Sequence, residues 1–331
     1  MRLLILGGTM FLGRHLVDEA LERGHDVTLF NRGKTGPGLF PQVTTLHGDR
    51  DGGLEPLRGG RWDAVIDTSG YVPRVVKQSV DLLSDLTDHY TFVSSISVYA
   101  DVSEIGMRED APAATPSAPD SEDIARDYGA LKYLSEQVVS EGFGDRALVV
   151  RPGLIVGPWD PSDRFTYWPA RVARGGRVLA PGRPDRRIQF IDARDLASWT
   201  LTMAEQRASG AFNADGPGGG YTMGELLETC RTVTGSDATW TWVSDEFLAD
   251  AGVGEWMELP LWIRETPEQL GFFEVDCSAA ESRGLTFRPV ADTVRDTWQW
   301  QMTREPYEWK RTGLKPEREE ELLNSLGTPP A

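Results

Sequence analysis

The sequence predicts an α/β fold: a doubly wound parallel sheet with a smaller C-terminal substrate lobe. Three observations lead there. Short apolar runs of β character alternate with stretches whose apolar residues recur at helical spacing, the order that builds parallel strands joined by right-handed crossovers. A glycine cluster, residues 7–13, separates the first run from the first helical stretch. Ten of the eleven tryptophans lie beyond residue 150, so the aromatic content is skewed toward a second lobe. The expected division is residues 1–158 for the sheet domain, with a later strand returning near 186–215, and 159–331 mainly for the lobe.

Each element has its own signal. Residues 2–6, Arg-Leu-Leu-Ile-Leu, form the first strand. Leu12, Leu16, Val17, Ala20 and Leu21 then share a helix face, and Gly24 closes that helix. Residues 26–30 are the second strand, 33–41 a Gly/Pro-rich loop, 43–46 and 63–67 further strands, and 75–86 a helix. The strand at 89–95 delivers Ser94, Ser95 and Ser97. Residues 111–121, rich in Pro, Ala, Ser and Asp, are expected to be a mobile loop. A helix around Tyr128 runs to about Glu141, and 147–150 is the next strand. In the second lobe, 181–184 is a loop and 188–191 a short strand, and Asp195 is expected to cap or anchor a helix beginning near Leu196. Arg318 to Glu321 belong to a polar helix, with Pro329-Pro330 in a frayed end. No internal repeat is present.

Strand, glycine turn, helix and strand make a dinucleotide-binding unit. Gly7 and Gly8 permit a tight turn, and Gly13 permits close approach of helix and strand. A pyrophosphate would sit on the helix N-terminus, where free N–H groups and the helix dipole favour an anion. Ligands of such sheets bind beyond the carboxyl ends of the strands, where Gly7, Asn31, Thr68, Ser95 and Gly153 fall. Tyr128 and Lys132 stand one helical turn apart, on one face. Tyrosine alone is a weak acid–base group, with a pKa of roughly 10. A lysine cation beside it favours the phenolate, and a serine hydroxyl can hold a substrate oxygen while the phenol moves its proton. Such a trio makes and unmakes carbonyl groups.

Bulk properties set limits. At 331 residues the chain can bury a large core. The formal charge of −17 disfavours nucleic acid or an anionic membrane as a general partner. No run of about 18 apolar residues is present to span a bilayer, and the opening apolar run is too short for a secretory signal. Two cysteines give no disulfide framework. His15, His25, His47 and His89 have no metal-ligand spacing, so no metal is expected. A cytoplasmic enzyme is the expectation.

The motifs together resemble the extended, or atypical, short-chain dehydrogenases/reductases of the NAD-dependent epimerase/dehydratase superfamily. The resemblance rests on residues 7–13, Gly48-Asp49, Ser94 to Tyr99, Glu109-Asp110, Tyr128 to Lys132, Arg151 to Pro158, and Phe190 to Leu196, in family order over roughly the first 200 residues. It implies a Rossmann-type fold, a small-molecule substrate and a homodimer pairing through the two helices at 75–86 and around Tyr128. It also implies the residue roles. Ser95, Tyr128 and Lys132 would be catalytic, with Lys132 also on the nicotinamide ribose. Gly7, Gly8, Thr9, Met10, Phe11, Leu12 and Gly13 would cradle the pyrophosphate. Asp49 and Arg50 would lie near the adenine. Thr68, Ser69, Gly70 and Ser94 would pass beside the cofactor, with Pro152, Gly153 and Leu154 against the nicotinamide. Ser95 and Ser97 would meet the substrate; by their position after the Gly157-Pro158 turn, and not by resemblance, Trp159, Tyr167 and Trp168 are substrate-lining candidates, with Trp256, Trp262 and Trp300 as further ones.

Two departures from the family pattern matter. Met10 replaces the middle glycine of the turn, and its side chain is expected to crowd or shift the pyrophosphate. At the end of the second strand, Asn31-Arg32-Gly33-Lys34 replaces an aspartate that would bind ribose hydroxyls. Arginine pairs with a 2′-phosphate that a carboxylate would repel. NADP(H) is therefore favoured, with NAD(H) possible. Ile96 and Ser97 stand where related dehydratases have an acidic pair, which disfavours dehydration. Ile188 occupies the place of an arginine that grips nucleotide-sugar diphosphates, and Arg187 is one residue early, which in a strand turns it to the other face. Reversible hydride transfer at a carbonyl or alcohol of a small molecule comes first. Sugar or nucleotide-sugar epimerisation through a transient keto intermediate is the alternative. A binding-only role, as an NADP sensor or an RNA-binding relative without turnover, is the alternative of another class.

Overall fold

The inner strands carry apolar side chains on both faces, which forces the sheet inside and requires helices on both sides of it. A computed structural model describes residues 1–304 and 312–326. Its first half runs β1 (Arg2–Leu6), α1 (Phe11–Glu22), β2 (Asp26–Asn31), β3 (Thr44–His47), β4 (Ala64–Asp67), α2 (Pro73–Leu83), β5 (Tyr90–Val93), α3 (Ile124–Phe143) and β6 (Ala147–Pro152). The second half runs β7 (Ile155–Val156), α4 (Tyr167–Ala173), β8 (Arg177–Pro181), β9 (Arg187–Ile188), β10 (Ile191–Asp192), α5 (Ala193–Glu205), β11 (Gly210–Ala214), β12 (Tyr221–Thr222), α6 (Met223–Thr234), β13 (Thr239–Val243), α7 (Asp245–Asp250), α8 (Ser278–Ser282), α9 (Val290–Met302) and α10 (Pro316–Ser325).

Seven strands form one parallel sheet in the order β11-β6-β5-β4-β1-β2-β3. The order reverses at β1, which pairs with β2 on one side and β4 on the other. Alternate residues of β1 serve opposite cores. Leu3 and Ile5 pack with Leu16, Val17 and Trp199 under α1 and α5, while Leu4 and Leu6 pack with Val76, Val80 and Val139 under α2 and α3. A third cluster, with Trp168, Leu226, Leu227, Trp262 and Val294, fills the second lobe around α4, α6 and α9.

Some expectations are corrected. The apolar run at 188–191 is two separate strands: β9 pairs antiparallel with β12, and β10 pairs parallel with β7. Asp192, not Asp195, caps α5, its carboxylate accepting from Arg194 N at 2.9 Å. Asp195 holds Arg288 instead. Residues 111–121 have no regular element but are tied down, since Ser117 and Ser121 donate to Asp127 and Ala113 bridges to Tyr99. Arg318 to Glu321 lie in α10, and Pro329-Pro330 fall outside the described residues. Among the described residues, no helix is long and apolar enough to cross a membrane, and no cluster of potential metal ligands forms.

Candidate active site

One cavity of about 1240 Å³ opens along the carboxyl ends of the central strands and is closed over by the second lobe. The turn after β1 forms its floor. Gly7 and Gly8 have φ of +113° and +88°, which residues with a Cβ rarely adopt. A Cβ on Gly13 would meet Gly8 N at 2.9 Å, so the helix sits directly on the turn. Met10, at the place of the family's middle glycine, has an ordinary extended backbone (φ −125°, ψ 141°) and a half-exposed side chain. It lies on the cavity wall, and the residue after it, Phe11, takes a φ of +34°. No side chain caps α1: Gly13 N donates to Met10 O at 2.9 Å, and the N–H groups of Phe11 and Leu12, two residues of the cavity wall, have no side-chain cap.

The opposite side is built from the serine turn and α3. Ser95 caps a short 3-10 turn over Ile96–Val98, its Oγ accepting from Ser97 N at 3.1 Å and donating to Ser97 Oγ at 3.0 Å. α3 presses against this turn backbone to backbone, and a Cβ on Gly129 would fall 1.8 Å from Ser97 O. The helix is kinked at Asp127 (φ −111°, ψ 22°), whose carboxylate takes the Ser117 and Ser121 hydroxyls. Tyr128 follows the kink and enters the cavity beside Ser95 and Tyr71, with the two tyrosine rings 6.5 Å apart.

The electrostatics differ from the expectation in one respect. Burial raises the Tyr128 pKa, and Tyr71 adds to that rise. A hydrogen bond with Ser95 and the charge of Arg164 pull it back. Lys132 is anchored on the sheet. Its ammonium points to the sheet, donating to Gly70 O at 2.6 Å and Val93 O at 2.7 Å, with the Phe92 ring 4.3 Å away. Burial lowers its pKa to about 7. Two carbonyls thus fix its position, and a third donor remains for a ligand hydroxyl.

The cavity gathers most residues singled out from sequence. Gly7, Gly8, Thr9, Met10, Phe11, Leu12 and Gly13 line it, as do Asn31, Arg32, Lys34, Asp49, Arg50, Thr68, Ser69, Ser94, Ser95, Ser97, Tyr128, Lys132, Pro152, Gly153 and Leu154. Gly70 does not; its carbonyl serves Lys132. Arg50 reaches the wall but is committed elsewhere. It forks onto Asp67 at 2.6 and 2.7 Å, and Tyr90 Oη joins that buried carboxylate at 2.8 Å. Arg32 and Lys34 are exposed at the end of β2, with no carboxylate in ion-pair contact among the described residues.

The three aromatic residues expected at the substrate are elsewhere. Tyr167 and Trp168 are fully buried in the lobe's core, Trp168 Nε1 donating to Pro260 O at 2.9 Å. The first turn of α4 directs both inward. Trp159 has φ +72° and turns outward beneath the Arg14 guanidinium, 3.6 Å from its ring centroid. Of the other tryptophans considered, Trp262 and Trp300 belong to packed interiors, and Trp256 lines the cavity with Ile263, Phe272 and Phe273. Sequence reading also missed Arg164, Tyr71 and Asp215. Asp215 is buried against Gly153, where a Cβ would lie 1.6 Å from its Oδ2, and burial raises its pKa to about 7. Its signal was only that a charged residue ends the strand predicted near 186–215.

The arrangement fits a dinucleotide on independent grounds. The glycine cradle leaves no room for Cβ atoms, α1 begins on the cavity wall without a side-chain cap, and Ser94 Oγ on the same wall is buried with no hydrogen-bond partner among the described residues. Residues 80–214 match the NAD dependent epimerase/dehydratase family. The chain is 28% identical over 233 residues to the chloroplast stem-loop binding protein of 41 kDa b from Arabidopsis thaliana, covering 65% of this chain but only 58% of that protein. It is 23% identical over 273 residues to a UDP-glucose 4-epimerase from Corynebacterium glutamicum (71% and 81%). It is 25% identical over 340 residues to a Synechocystis sp. protein provisionally named dihydroflavonol 4-reductase (89% and 93%). The solved UDP-glucuronic acid 4-epimerase from Bacillus cereus, in complex with NAD, shares the fold at a TM-score of 0.67 and 16% identity, over 92% of this chain and 99% of that one.

Proposed function

We propose, for a chain whose residues 80–214 match the NAD dependent epimerase/dehydratase family, an NADP(H)-favouring oxidoreductase that interconverts a carbonyl and an alcohol on a small molecule. The observation that carries this reading is a shared cavity: the glycine turn of β1 and the Ser95, Tyr128 and Lys132 side chains open onto the same space. A nicotinamide bound there supplies or accepts the hydride. Ser95 Oγ would hold the substrate oxygen. Tyr128, kept protonated by its raised pKa, would donate its proton to that oxygen as the carbonyl carbon is reduced, and take it back in the oxidation. Lys132 would hold a ribose hydroxyl with its free donor and keep the sheet ends in register.

Cofactor preference follows from the end of β2. Asn31 stands where a carboxylate would repel a 2′-phosphate, its Oδ1 accepting from Gly33 N at 2.8 Å, and Arg32 and Lys34 are free to pair with one. A small substrate is favoured over a nucleotide sugar by β9, because Ile188 is buried in the core and Arg187 is exposed on the opposite face.

Epimerisation through a keto intermediate uses the same trio and draws support from the similarity to UDP-glucose 4-epimerases. The chloroplast relative keeps an RNA-binding role in view, but Tyr128 and Lys132 are both present here and the charge of −17 repels a phosphate backbone. The test is nicotinamide absorbance during turnover across ketones and alcohols, with Tyr128→Phe as control. We expect turnover to fall 10²–10⁴-fold in that variant. Undiminished turnover would remove Tyr128 from the mechanism; a tightly retained oxidised cofactor with no net redox change would favour the epimerase.

A further inference from the structure

Four enclosed arginines in this protein come with carboxylates. Arg50 has Asp67, Arg151 has Glu136, Arg171 has Glu319 and Arg186 has Asp245. Arg164 lines the cavity and has none in ion-pair contact among the described residues. Its Nε donates to Ser162 Oγ at 3.1 Å, and its guanidinium lies 4.8 Å from the centroid of the Trp256 ring. Asp160, whose charge acts on Arg164 without ion-pair contact, is turned to Ser162, accepting from its N at 2.8 Å and its Oγ at 2.9 Å. Among the described residues, the two terminal nitrogens of Arg164 therefore have no hydrogen-bond acceptor. A stacked, half-buried guanidinium with both ends free matches an oxyanion that presents two oxygens to it, as a carboxylate or a phosphate does. Beside it the wall is apolar: Trp256 and Phe272 meet at 5.2 Å, Phe272 and Phe273 at 5.0 Å.

We infer that Arg164 binds an oxyanion on the substrate, a carboxylate or phosphate monoester, whose apolar body rests on Trp256 and Phe272. This deepens the oxidoreductase reading and rests on it for the reacting carbon, which Ser95 and Tyr128 face from the same cavity. Arg164 is thus a specificity residue: it brings an acid into a protein whose overall charge repels acids, and its charge also supports the Tyr128 phenolate.

The test is binding, so that it does not depend on turnover. Calorimetric titration of the full-length protein with NADP⁺ present would compare phenylpyruvate, its methyl ester, phenyl phosphate, inorganic phosphate and uridine diphosphate. We expect the carboxylate or phosphate aromatic probe to bind at least tenfold more tightly than the neutral ester. Arg164→Met should remove that difference while leaving ester and NADP⁺ affinities unchanged, and Arg164→Lys should restore part of it. Equal binding of acid and ester, or an acid preference that survives Arg164→Met, overturns the inference. So does uridine diphosphate binding more tightly than every aromatic probe through Arg164, because the group bound would then be a nucleotide. Loss of anion selectivity with intact ketone turnover would leave the oxidoreductase reading standing; anion binding with no turnover would do the reverse.

Discussion

Lys132 and Asp215 are both buried in the cavity wall, and burial drives their pKa values to about 7 from opposite sides. Their effects on stability have opposite signs. Asp215 binds a proton more tightly in the folded chain than at its ordinary 3.8, so its contribution is full at low pH and is lost as pH rises toward 7. Lys132 holds its proton less tightly than at its ordinary 10.5, so its contribution is full above that value and is lost as pH falls to about 7. Urea denaturation across pH should therefore show Asp215→Asn gaining on the parent between pH 4 and 7, by at most about 4 kcal/mol. Lys132→Met should flatten the rise above pH 7. The Asn side chain can still accept from Gly216 N, as Asp215 Oδ1 does at 2.9 Å, so geometry is preserved. Parallel profiles for Asp215→Asn and the parent would mean that Asp215 is ionised in the fold.

α3 is positioned by what Gly129 lacks. Glycine costs a helix interior about 1 kcal/mol relative to alanine, so its presence one residue after Tyr128 needs a reason, and the Ser97 carbonyl against it supplies one. Gly129→Ala should lift the helix from the serine turn, separating Tyr128 from Ser95. Overpacking of this kind costs about 1–3 kcal/mol, and a misplacement of about 1 Å can cost on the order of 10²-fold in rate. Steady-state kinetics beside thermal melting would check this; an unchanged kcat would show that the contact does not set the catalytic geometry. Elements with local causes were legible in the sequence: β1, its glycine turn and α1 are contiguous, and the Tyr128 to Lys132 spacing is one helical turn. Non-local causes were not. β8 exists because residues 177–181 pair with 239–243, a partner far away in the chain. The apolar run at 188–191 gave no sign that its two ends pair with different strands. Aromatic composition could not say that Trp168 points into the core and Trp256 into the cavity. Arg164 read as an ordinary charge because a missing counter-ion is visible only in three dimensions.

Across the whole molecule, acidic groups outnumber basic ones by 51 to 34, yet Arg32, Lys34 and Arg164 all face one cavity. Salt should therefore act in two directions. It screens the self-repulsion of a chain at −17, which favours the folded state. It would also screen the proposed attraction of Arg32 and Lys34 for a 2′-phosphate, and so weaken cofactor binding. These effects separate because Arg32 and Lys34 are exposed, where screening at physiological ionic strength acts beyond about 8 Å, while the ion pair of Arg50 and Asp67 is enclosed. Raising sodium chloride should increase the melting temperature and, over the same range, weaken NADPH more than NADH. Replacing Arg32 and Lys34 together by alanine should bring the two affinities close together and erase the difference in their salt dependence, with the salt gain in melting temperature retained. NADPH and NADH affinities that move together with salt in the parent protein would mean that the extra phosphate does not meet these two cations, and the preference for NADP(H) would lose its physical basis.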